Sequence, residues 1–327
     1  MLFDGTEFTT DHPQFRNLGK TEWRPDIKIW CEATFERAKK LLDDDFPARF
    51  RLETPQRISE LFFAAAFLDA GWEPIDRVPG FDLAFNLGEG RLLVEITTPD
   101  PHSAETWTEE KHDGFTLSST DDKTEDAALR RLTSGFATKA KAIRKRRDAG
   151  EISAADYIVV AISGFRLSQE SPVALEIGGP VPDFAKAFLP IGSRCVTVRL
   201  DDHADAPIEG GWLFKATINQ DGKSPVDRDA FLRPDFQHIH AVAYTPLHFW
   251  KPISPINECA ALHNPMALPK GGVVVLGLGS ELVIDIGEDK CTIGPLTDRA
   301  PDAQFERLKT ELADAFAATD GNGPGNS

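Results

Sequence analysis

Two carboxylates stand out because they fall inside a predicted β-hairpin, where apolar side chains would be more stable. Residues 80–100 read GFDLAFNLGEGRLLVEITTPD, with Asp82 in the first strand and Glu95 in the second. The pair Gly88-Glu89 suits a two-residue hairpin turn. That turn places Asp82 directly opposite Glu95, and it predicts three further pairs: Leu87 with Gly90, Phe85 with Leu92, and Leu83 with Val94.

An opposed pair of acids needs a physical reason. Directly opposed side chains in a sheet lie roughly 5 Å apart at Cβ, and like charges at that distance destabilise the pairing. A shared proton, or a cation held between the two sets of oxygens, would remove the repulsion. The pair therefore predicts either a proton-sharing dyad or a site for a hard cation, and the residues alone leave both open.

Three neighbouring elements would position these acids. A helix is predicted from Thr54 as N-cap and Pro55 as first helical residue to Gly71, and it is apolar almost all round, so we expect it to be buried. A long helix is predicted over about 123–149. The continuous apolar run 157–162 is typical of a central strand.

The rest of the chain suggests one α/β domain over residues 23–317, with a core at about 54–165 and an elaborated C-terminal half at 166–317. Residues 1–22 are predicted to be irregular, 100–122 to be an excursion or loop, and the tail 318–327 to be disordered. The remaining predicted helices are 25–46, 182–189 and 302–317. The remaining predicted strands are 194–200, 212–218, 238–244 and 272–286.

Composition narrows the class of protein. The chain has 327 residues, 41% of them hydrophobic, and four cysteines without C-x-x-C spacing, so neither a disulfide framework nor a zinc knuckle is indicated. It contains no apolar run of membrane-spanning length, and its first residues lack the order of a signal peptide. We therefore expect a cytoplasmic protein without a membrane partner.

The formal net charge of −16 argues against a broad basic surface for nucleic acid. Basic residues concentrate in the run 139–147. Binding of nucleic-acid phosphates must therefore come from this run, from metal ions or from a partner protein. The alternative interpretation of this run is a solvent-exposed helix face, and the sequence favours neither interpretation over the other. The residues predicted to contact nucleic acid are Lys139, Lys141, Arg144, Lys145, Arg146 and Arg147.

The order of elements resembles the core of the PD-(D/E)xK, or restriction-endonuclease-like, nuclease superfamily. The resemblance is carried by Glu60 in the buried helix, Asp82 in GFDLAF, Glu95 in LLVEITTPD and Lys139 in GFATKAKAIRKR. It implies a central mixed sheet flanked by helices. It also implies a Mg²⁺ or Mn²⁺ site held by Asp82 and Glu95, with Glu60 as a third metal ligand; the alternative for Glu60 is an acid favoured by the helix dipole.

The sequence departs from that pattern two residues after Glu95, where Thr97 replaces the usual lysine. A threonine cannot supply a positive charge, although it can hydrogen-bond a metal-bound water. Lys139 could supply the charge from the long helix, because it lies about 60° from the centre of that helix's apolar stripe while Lys141 and Lys145 face away. The alternative for Lys139 is a boundary lysine whose stem covers apolar surface.

The resemblance implies a metal-dependent phosphodiesterase with Asp82, Glu95, Thr97 and Lys139 as catalytic residues. The expected substrate is DNA, in bacterial genome defence or DNA processing. The alternatives are RNA cleavage and an inactive nuclease-like domain that acts in binding or assembly; a protein partner and a homodimer stay open. His238 and His240, which share a predicted strand face, are interpreted as structural histidines, since no third ligand lies nearby in the sequence.

Overall fold

The computed structural model describes residues 2–3, 11–20, 25–100, 108–112, 115–119, 122–170, 175, 177, 181–197, 209–219, 224–247, 253–267, 273–286 and 291–296. The α-helices are α1 (Pro13–Lys20), α2 (Pro25–Ala38), α3 (Phe46–Leu52), α4 (Thr54–Asp69), α5 (Asp122–Asp148) and α6 (Phe165–Glu170). The strands are β1 (Leu83–Leu87), β2 (Gly90–Thr97), β3 (Thr108–His112), β4 (Phe115–Ser119), β5 (Tyr157–Ser163), β6 (Ile191–Thr197), β7 (Glu209–Phe214), β8 (Thr217–Ile218), β9 (Val226–Asp227), β10 (Ala241–Thr245), β11 (Ala260–His263), β12 (Ser280–Ile286) and β13 (Cys291–Pro295).

A seven-stranded mixed sheet forms the centre of the fold, in the order β1-β2-β5-β10-β11-β12-β13. Strand β2 has an antiparallel neighbour, β1, and a parallel neighbour, β5. The connection from β2 to β5 contains α5, as a parallel pair requires a long crossover. The predicted fold class, α/β with a central mixed sheet flanked by helices, is confirmed.

The two faces of the sheet carry separate hydrophobic layers. Alternate residues of β2 point to opposite faces, so that Leu92, Val94 and Ile96 pack with the layer that contains α1, α2 and α4. Leu93 packs on the other face with α5. Residues of the central strand β5, from Tyr157 to Ser163, are buried on both faces, as the continuous apolar run predicted.

Helix α4 is buried over most of its length, as predicted, and lies under the hairpin β1–β2. It begins at Thr54, one residue earlier than predicted, and the Thr54 hydroxyl donates to the Phe50 carbonyl at 2.8 Å instead of capping the helix. Its C-terminus closes with Gly71 at φ +89°, where the Trp72 N–H donates to Phe67 O at 3.1 Å. Glycine favours this left-handed cap because it has no Cβ.

Two predictions for the N-terminal part were wrong. Residues 1–22 are not irregular throughout, because α1 forms and buries Phe15 and Leu18 on one side, three residues apart. The helix predicted over 25–46 ends at Ala38. A tight turn buries Leu41 and Leu42, and a new helix, α3, begins beside Pro47, which is suited to the first turn.

The region 100–122 was predicted to be a loop and instead contains the hairpin β3–β4. Strand β3 reads TEEKH and has no apolar residue, and the alternation in β4, FTLSS, is limited to Phe115 and Leu117, which is too short to identify a strand. The dipeptide Asp113-Gly114 between the two strands is a strong hairpin signal in the sequence. A sequence reading weighted toward turn chemistry would have found this hairpin.

The C-terminal half follows the predictions in part. Strands β6, β7, β10 and β12 overlap the predicted strands, and the predicted helix at 182–189 is a 3₁₀ turn at Asp183–Ala187. Strands β11 and β13 were not predicted; β11 reads AALH, and its buried place between β10 and β12 overrides its weak strand propensity. The predicted helix 302–317 and tail 318–327 lie outside the described residues. Of the helices that the structure describes, none is long and apolar enough to cross a bilayer.

Candidate active site

The hairpin β1–β2 has the predicted register. Its turn has Gly88 at φ +66°, the conformation that the first turn residue of a type II′ hairpin needs. The three predicted apolar pairs are all present: Leu83 with Val94, Phe85 with Leu92, and Leu87 with Gly90. The register sends one set of side chains to α4 and the other to α5.

Asp82 lies one residue before β1, in a bend, so its predicted place directly opposite Glu95 is not among the observed pairs. Its backbone N–H donates to Val94 O at 3.0 Å, and its carboxylate Oδ2 accepts the N–H of Ile96 at 2.6 Å. Alternation puts Glu95 on the same face of β2 as Leu93, which packs in the α5 layer. The charge of Asp82 raises the pKa of Glu95, so the two carboxylates lie close together at this end of the hairpin.

Lys139 of α5 meets this acid pair. Its ammonium Nζ lies 2.7 Å from Glu95 Oε1, and its side chain is 28% exposed. The predicted apolar stripe of α5 is buried, with Lys139 on its flank, while Lys141 is exposed as predicted. The helix thus places one cation directly against the carboxylates and leaves Lys141 in solvent.

Thr97 lies two residues after Glu95 and points to the same face of β2. It lies opposite Gly135 of α5, where an added Cβ would stand 3.4 Å from Thr97 Cγ2. Gly135 and Lys139 are four residues apart and so share one side of the helix. The small pair Thr97 and Gly135 lets α5 run close to the end of β2. Thr97 carries no charge, and the ammonium of Lys139 supplies a positive charge beside Glu95 from α5 instead.

Glu60 of α4 is buried and fully engaged by its own helix. Its Oε1 accepts from Gln56 Nε2 at 3.0 Å, and its Oε2 accepts from Arg57 Nη1 at 2.6 Å. The side chains of Arg57 and Glu60 are only 6% and 5% exposed. The structure thus gives Glu60 a helical ion pair; a role as a third metal ligand stays a prediction.

Burial raises the pKa of all three acids, and the charge of Asp82 adds to this effect at Glu60 and Glu95. Burial, followed by the charge of Asp82, raises the pKa of Glu60 to about 7, although Arg57 and Gln56 act in the opposite direction. Burial also raises the pKa of Asp82, more than the Ile96 hydrogen bond and the charges of Lys139 and Arg57 lower it. The pKa of Glu95 is raised by burial and by Asp82, against the effect of Lys139. The charges of Arg57, Lys139 and Arg146 do not offset the effect of burial on the three carboxyl groups.

A hard divalent cation fits the chemistry of this set of donors, which consists of carboxylate oxygens short of positive charge. In the part of the chain that the structure describes, no three acidic, histidine or cysteine side chains converge as a metal cage. Glu95 points to Lys139, and Glu60 to Arg57. Mg²⁺ is commonly held by one or two carboxylates together with waters and substrate phosphates, so Asp82 and Glu95 would suffice.

The basic run at the end of α5 is only partly available to a ligand. Arg146 donates to the carbonyl of Gly80, lies 4.6 Å from the ring of Phe81 and pairs with Glu151, so it holds the segment that leads into Asp82. Arg144 lies 3.6 Å from Asp235. The exposed basic residues of the run are Lys141, Arg144, Lys145 and Arg147. Whether they bind nucleic acid stays a prediction.

The sequence reading missed an arginine cluster beside the acids. Arg57 reaches both Glu60 and Glu53, and its Nη1 lies 4.0 Å from Asp43 Oδ2. Arg49 and Arg77 also pair with Asp43. A charged residue three positions before a Glu in a helix that is otherwise apolar is a signal for the Arg57–Glu60 pair. No local signal joins Asp43 to Arg77.

His238 and His240 have the contacts expected of structural histidines. His238 Nε2 lies 2.8 Å from Ala140 O, and His240 Nδ1 accepts the N–H of Ile158 at 2.9 Å. Burial lowers the pKa of His238, so its neutral form is favoured. Both rings serve the packing of α5 and β5 against the start of β10.

Comparisons of this chain with protein-family models, with curated proteins and with solved structures gave no match. Function therefore has to be inferred from the chemistry of the site's own residues.

Proposed function

We propose that this protein is a Mg²⁺- or Mn²⁺-dependent phosphodiesterase that cleaves nucleic acid, with DNA as the expected substrate. One observation carries the proposal: Asp82 accepts the N–H of Ile96, the residue after Glu95, and the ammonium of Lys139 lies 2.7 Å from Glu95. Two oxygen-rich acids beside one cation are the groups that hydrolysis of a phosphodiester needs.

Asp82 and Glu95 would hold the metal ion. The hydrogen bond from Ile96 N–H orients the Asp82 carboxylate, and the hairpin fixes the separation of the two acids. A bound divalent cation would supply Lewis acidity toward a phosphate oxygen and a water molecule. The raised pKa of both acids supports this role, because strongly perturbed carboxyl groups cluster at functional sites.

Lys139 would stabilise negative charge that develops on the phosphate, or orient the attacking water. The side chain comes from the flank of the buried stripe of α5 and pairs with Glu95, so its ammonium is held beside the acids before substrate arrives. Thr97, on the same face, is placed to accept or donate a hydrogen bond to a water at the site. Glu60 would add negative charge next to Asp82, steadied by Arg57.

The sequence of elements supports kinship with the PD-(D/E)xK superfamily as a further part of this proposal. A buried helix with Glu60 is followed by the hairpin with Asp82 and Glu95, the helix with Lys139 and the central strand β5. A bacterial cytoplasmic setting, in genome defence or DNA processing, is proposed from that resemblance alone.

The direct test is cleavage of supercoiled plasmid, linear duplex, single-stranded DNA and RNA, each with Mg²⁺, Mn²⁺ or EDTA. We expect cleavage of DNA that requires metal and that is lost in Asp82→Asn. Glu89→Gln, an exposed acid in the hairpin turn, is the matched control and should cleave like the wild type. Cleavage that persists in EDTA, or in Asp82→Asn, would contradict the proposal.

An inactive nuclease-like binding module is the second candidate. It is favoured by Thr97 in place of the usual lysine, and by the lack of three converging metal ligands among the described residues. Nucleic-acid binding without cleavage of any of the four substrates under both metals would support this candidate.

A further inference from the structure

Three guanidinium groups converge on a single carboxylate next to the candidate active site. Arg49 Nη1 lies 3.2 Å from Asp43 Oδ2, Arg57 Nη1 lies 4.0 Å from the same oxygen, and Arg77 Nη2 pairs with Asp43 Oδ1. The Asp43 side chain is 25% exposed. We call Arg49, Arg57 and Arg77 the arginine cluster.

The arginine cluster is continuous with the acid pair. Arg57 contacts Asp43 on one side and Glu60 on the other. The charge of Asp43 acts directly on the Asp82 carboxyl, and so does the charge of Arg57. Arg77 lies five residues before Asp82, in the segment that enters β1. An anion held by the cluster would therefore be a neighbour of a group reacting at Asp82 and Glu95.

The members of the cluster differ in freedom. Arg57 is buried, and Glu53 and Glu60 hold it in place. Arg49, which also pairs with Glu53 at 3.2 Å, and Arg77 have side chains 39% and 48% exposed, and so can turn toward a ligand from solvent. Among the described residues, Asp43 is the one acid that pairs with Arg77. The site thus combines one fixed guanidinium with two adjustable ones.

A phosphodiester matches this arrangement. Guanidinium groups bind carboxylate and phosphate through the same planar fork, so a carboxylate can occupy a phosphate position. Asp43 belongs to the turn between α2 and α3, where Asp44 and Asp45 are exposed. The carboxylate of Asp43 occupies the place among the arginines that a phosphate would take. The negative charge of this turn repels an incoming phosphate.

We propose that the arginine cluster binds a backbone phosphate of nucleic acid next to the one under attack, and that Asp43 holds this position until substrate displaces it. The inference rests on the proposed function for its ligand. It adds that the arginine cluster positions the substrate, and that Asp43 weakens binding because it competes with the phosphate for the same guanidinium groups.

The test measures binding apart from cleavage, by fluorescence anisotropy of a short labelled DNA duplex in EDTA over a range of salt concentrations. Asp43→Asn should bind about threefold or more tightly than the wild type, because the internal anion is removed. Arg77→Ala should bind more weakly, with a salt slope shallower by about one, as for the loss of one phosphate contact. Arg49→Ala should act in the same direction.

Arg37→Ala is the matched control, since Arg37 is an exposed arginine paired with Asp69 outside the cluster. It should leave both affinity and salt slope unchanged. Thermal melts establish that each variant is folded, and Arg57 is left intact because it is buried in the helix network.

The outcomes separate this inference from the proposed function. If the wild type cleaves DNA but Asp43→Asn gains no affinity and Arg77→Ala keeps the wild-type salt slope, the arginine cluster does not bind the backbone and the inference is wrong. If no variant cleaves, yet Asp43→Asn tightens and Arg77→Ala weakens binding as expected, the inference stands and the nuclease activity does not.

Discussion

Acids lie at both ends of β2, in opposite electrostatic conditions. At its start, Asp156 accepts hydrogen bonds from the backbone and guanidinium of Arg91 and from Ser153 N–H, at 2.5–3.1 Å. Burial raises the pKa of Asp156, but the donors outweigh it and the net pKa is lowered. At the other end, Glu95 accepts a hydrogen bond from Lys139, and burial and the charge of Asp82 raise its pKa despite the charges of Lys139 and Arg146.

The difference separates a structural acid from a candidate functional one. Asp156 is surrounded by donors, so its negative charge stabilises the fold by tying β2 to the entry of β5. Asp82 and Glu95 lie near each other and near Glu60 with fewer donors than their charges require, so their ionised forms strain the folded state. A protein retains such strain where a ligand relieves it, and such sites are common at active centres.

The largest expected effect sharpens this comparison through Lys139. Lys139→Ala should lower nuclease turnover by about 10²-fold or more, the scale of losing one preorganised charge-stabilising group. Stability should change little, since Lys139 lies at the edge of the buried stripe. Steady-state cleavage of a labelled duplex measures the loss. Lys141→Ala, on the exposed side of α5, is the control, and equal activity in both variants would show that Lys139 is misassigned.

A divalent cation should stabilise the folded protein by binding at the Glu95 end of β2. A ligand that binds only the folded state raises its stability, by about 2.7 kcal/mol at 100 times its Kd. Mg²⁺ or Mn²⁺ should therefore raise the Tm of the wild type, and Glu95→Gln should lose that increment while Glu89→Gln keeps it. Differential scanning calorimetry with and without metal measures the effect. An equal shift in Glu95→Gln would place the metal elsewhere.

Breaking the structural acid should cost stability. Asp156→Asn removes the ionised partner of Arg91 and should lower the free energy of unfolding by about 2 kcal/mol at neutral pH, less than for a fully buried pair because Arg91 is partly exposed. The folded-state pKa of Asp156 is lowered, so its contribution is present above its ordinary pKa of 3.8 and is lost as pH falls through the folded value. Urea unfolding at several pH values measures this. A loss of equal size in acid and at neutral pH would contradict it.

The smallest expected effect is at Glu60, where the dependence of stability on pH is opposite in sign to that of Asp156. Its folded-state pKa of about 7 lies above its ordinary value of 4.5, so its stabilising proton is fully present below about pH 4.5 and is lost as pH rises through 7. In EDTA, the free energy of unfolding of the wild type should fall over this window by up to about 1.4 kcal/mol per pH unit, and that of Glu60→Gln should fall less. Urea unfolding across pH reads the slope. Glu89→Gln should keep the wild-type slope, and an unchanged slope in Glu60→Gln would assign the titration to another group.

Local patterns in the sequence determined much of the site. The Gly88 turn and the apolar alternation specified the register that sets Asp82 near Glu95, because a one-residue slip would turn every apolar side chain outward. The stripe of α5 likewise specified that Lys139 lies on its flank and Lys141 in solvent. These features depend on periods of two and 3.6 residues, which are visible within a single element.

Tertiary structure alone decided which charges meet. Lys139 and Glu95 are 44 residues apart, and their contact depends on how closely α5 crosses the end of β2 beside Gly135. Asp43 and Arg77 lie on separate segments that only the packing of α3 and α4 beneath the sheet brings together. The spacing of charged residues in the sequence does not identify the distant residues with which they pair. Their partners, and so their pKa values, follow from the burial and distances of the folded chain.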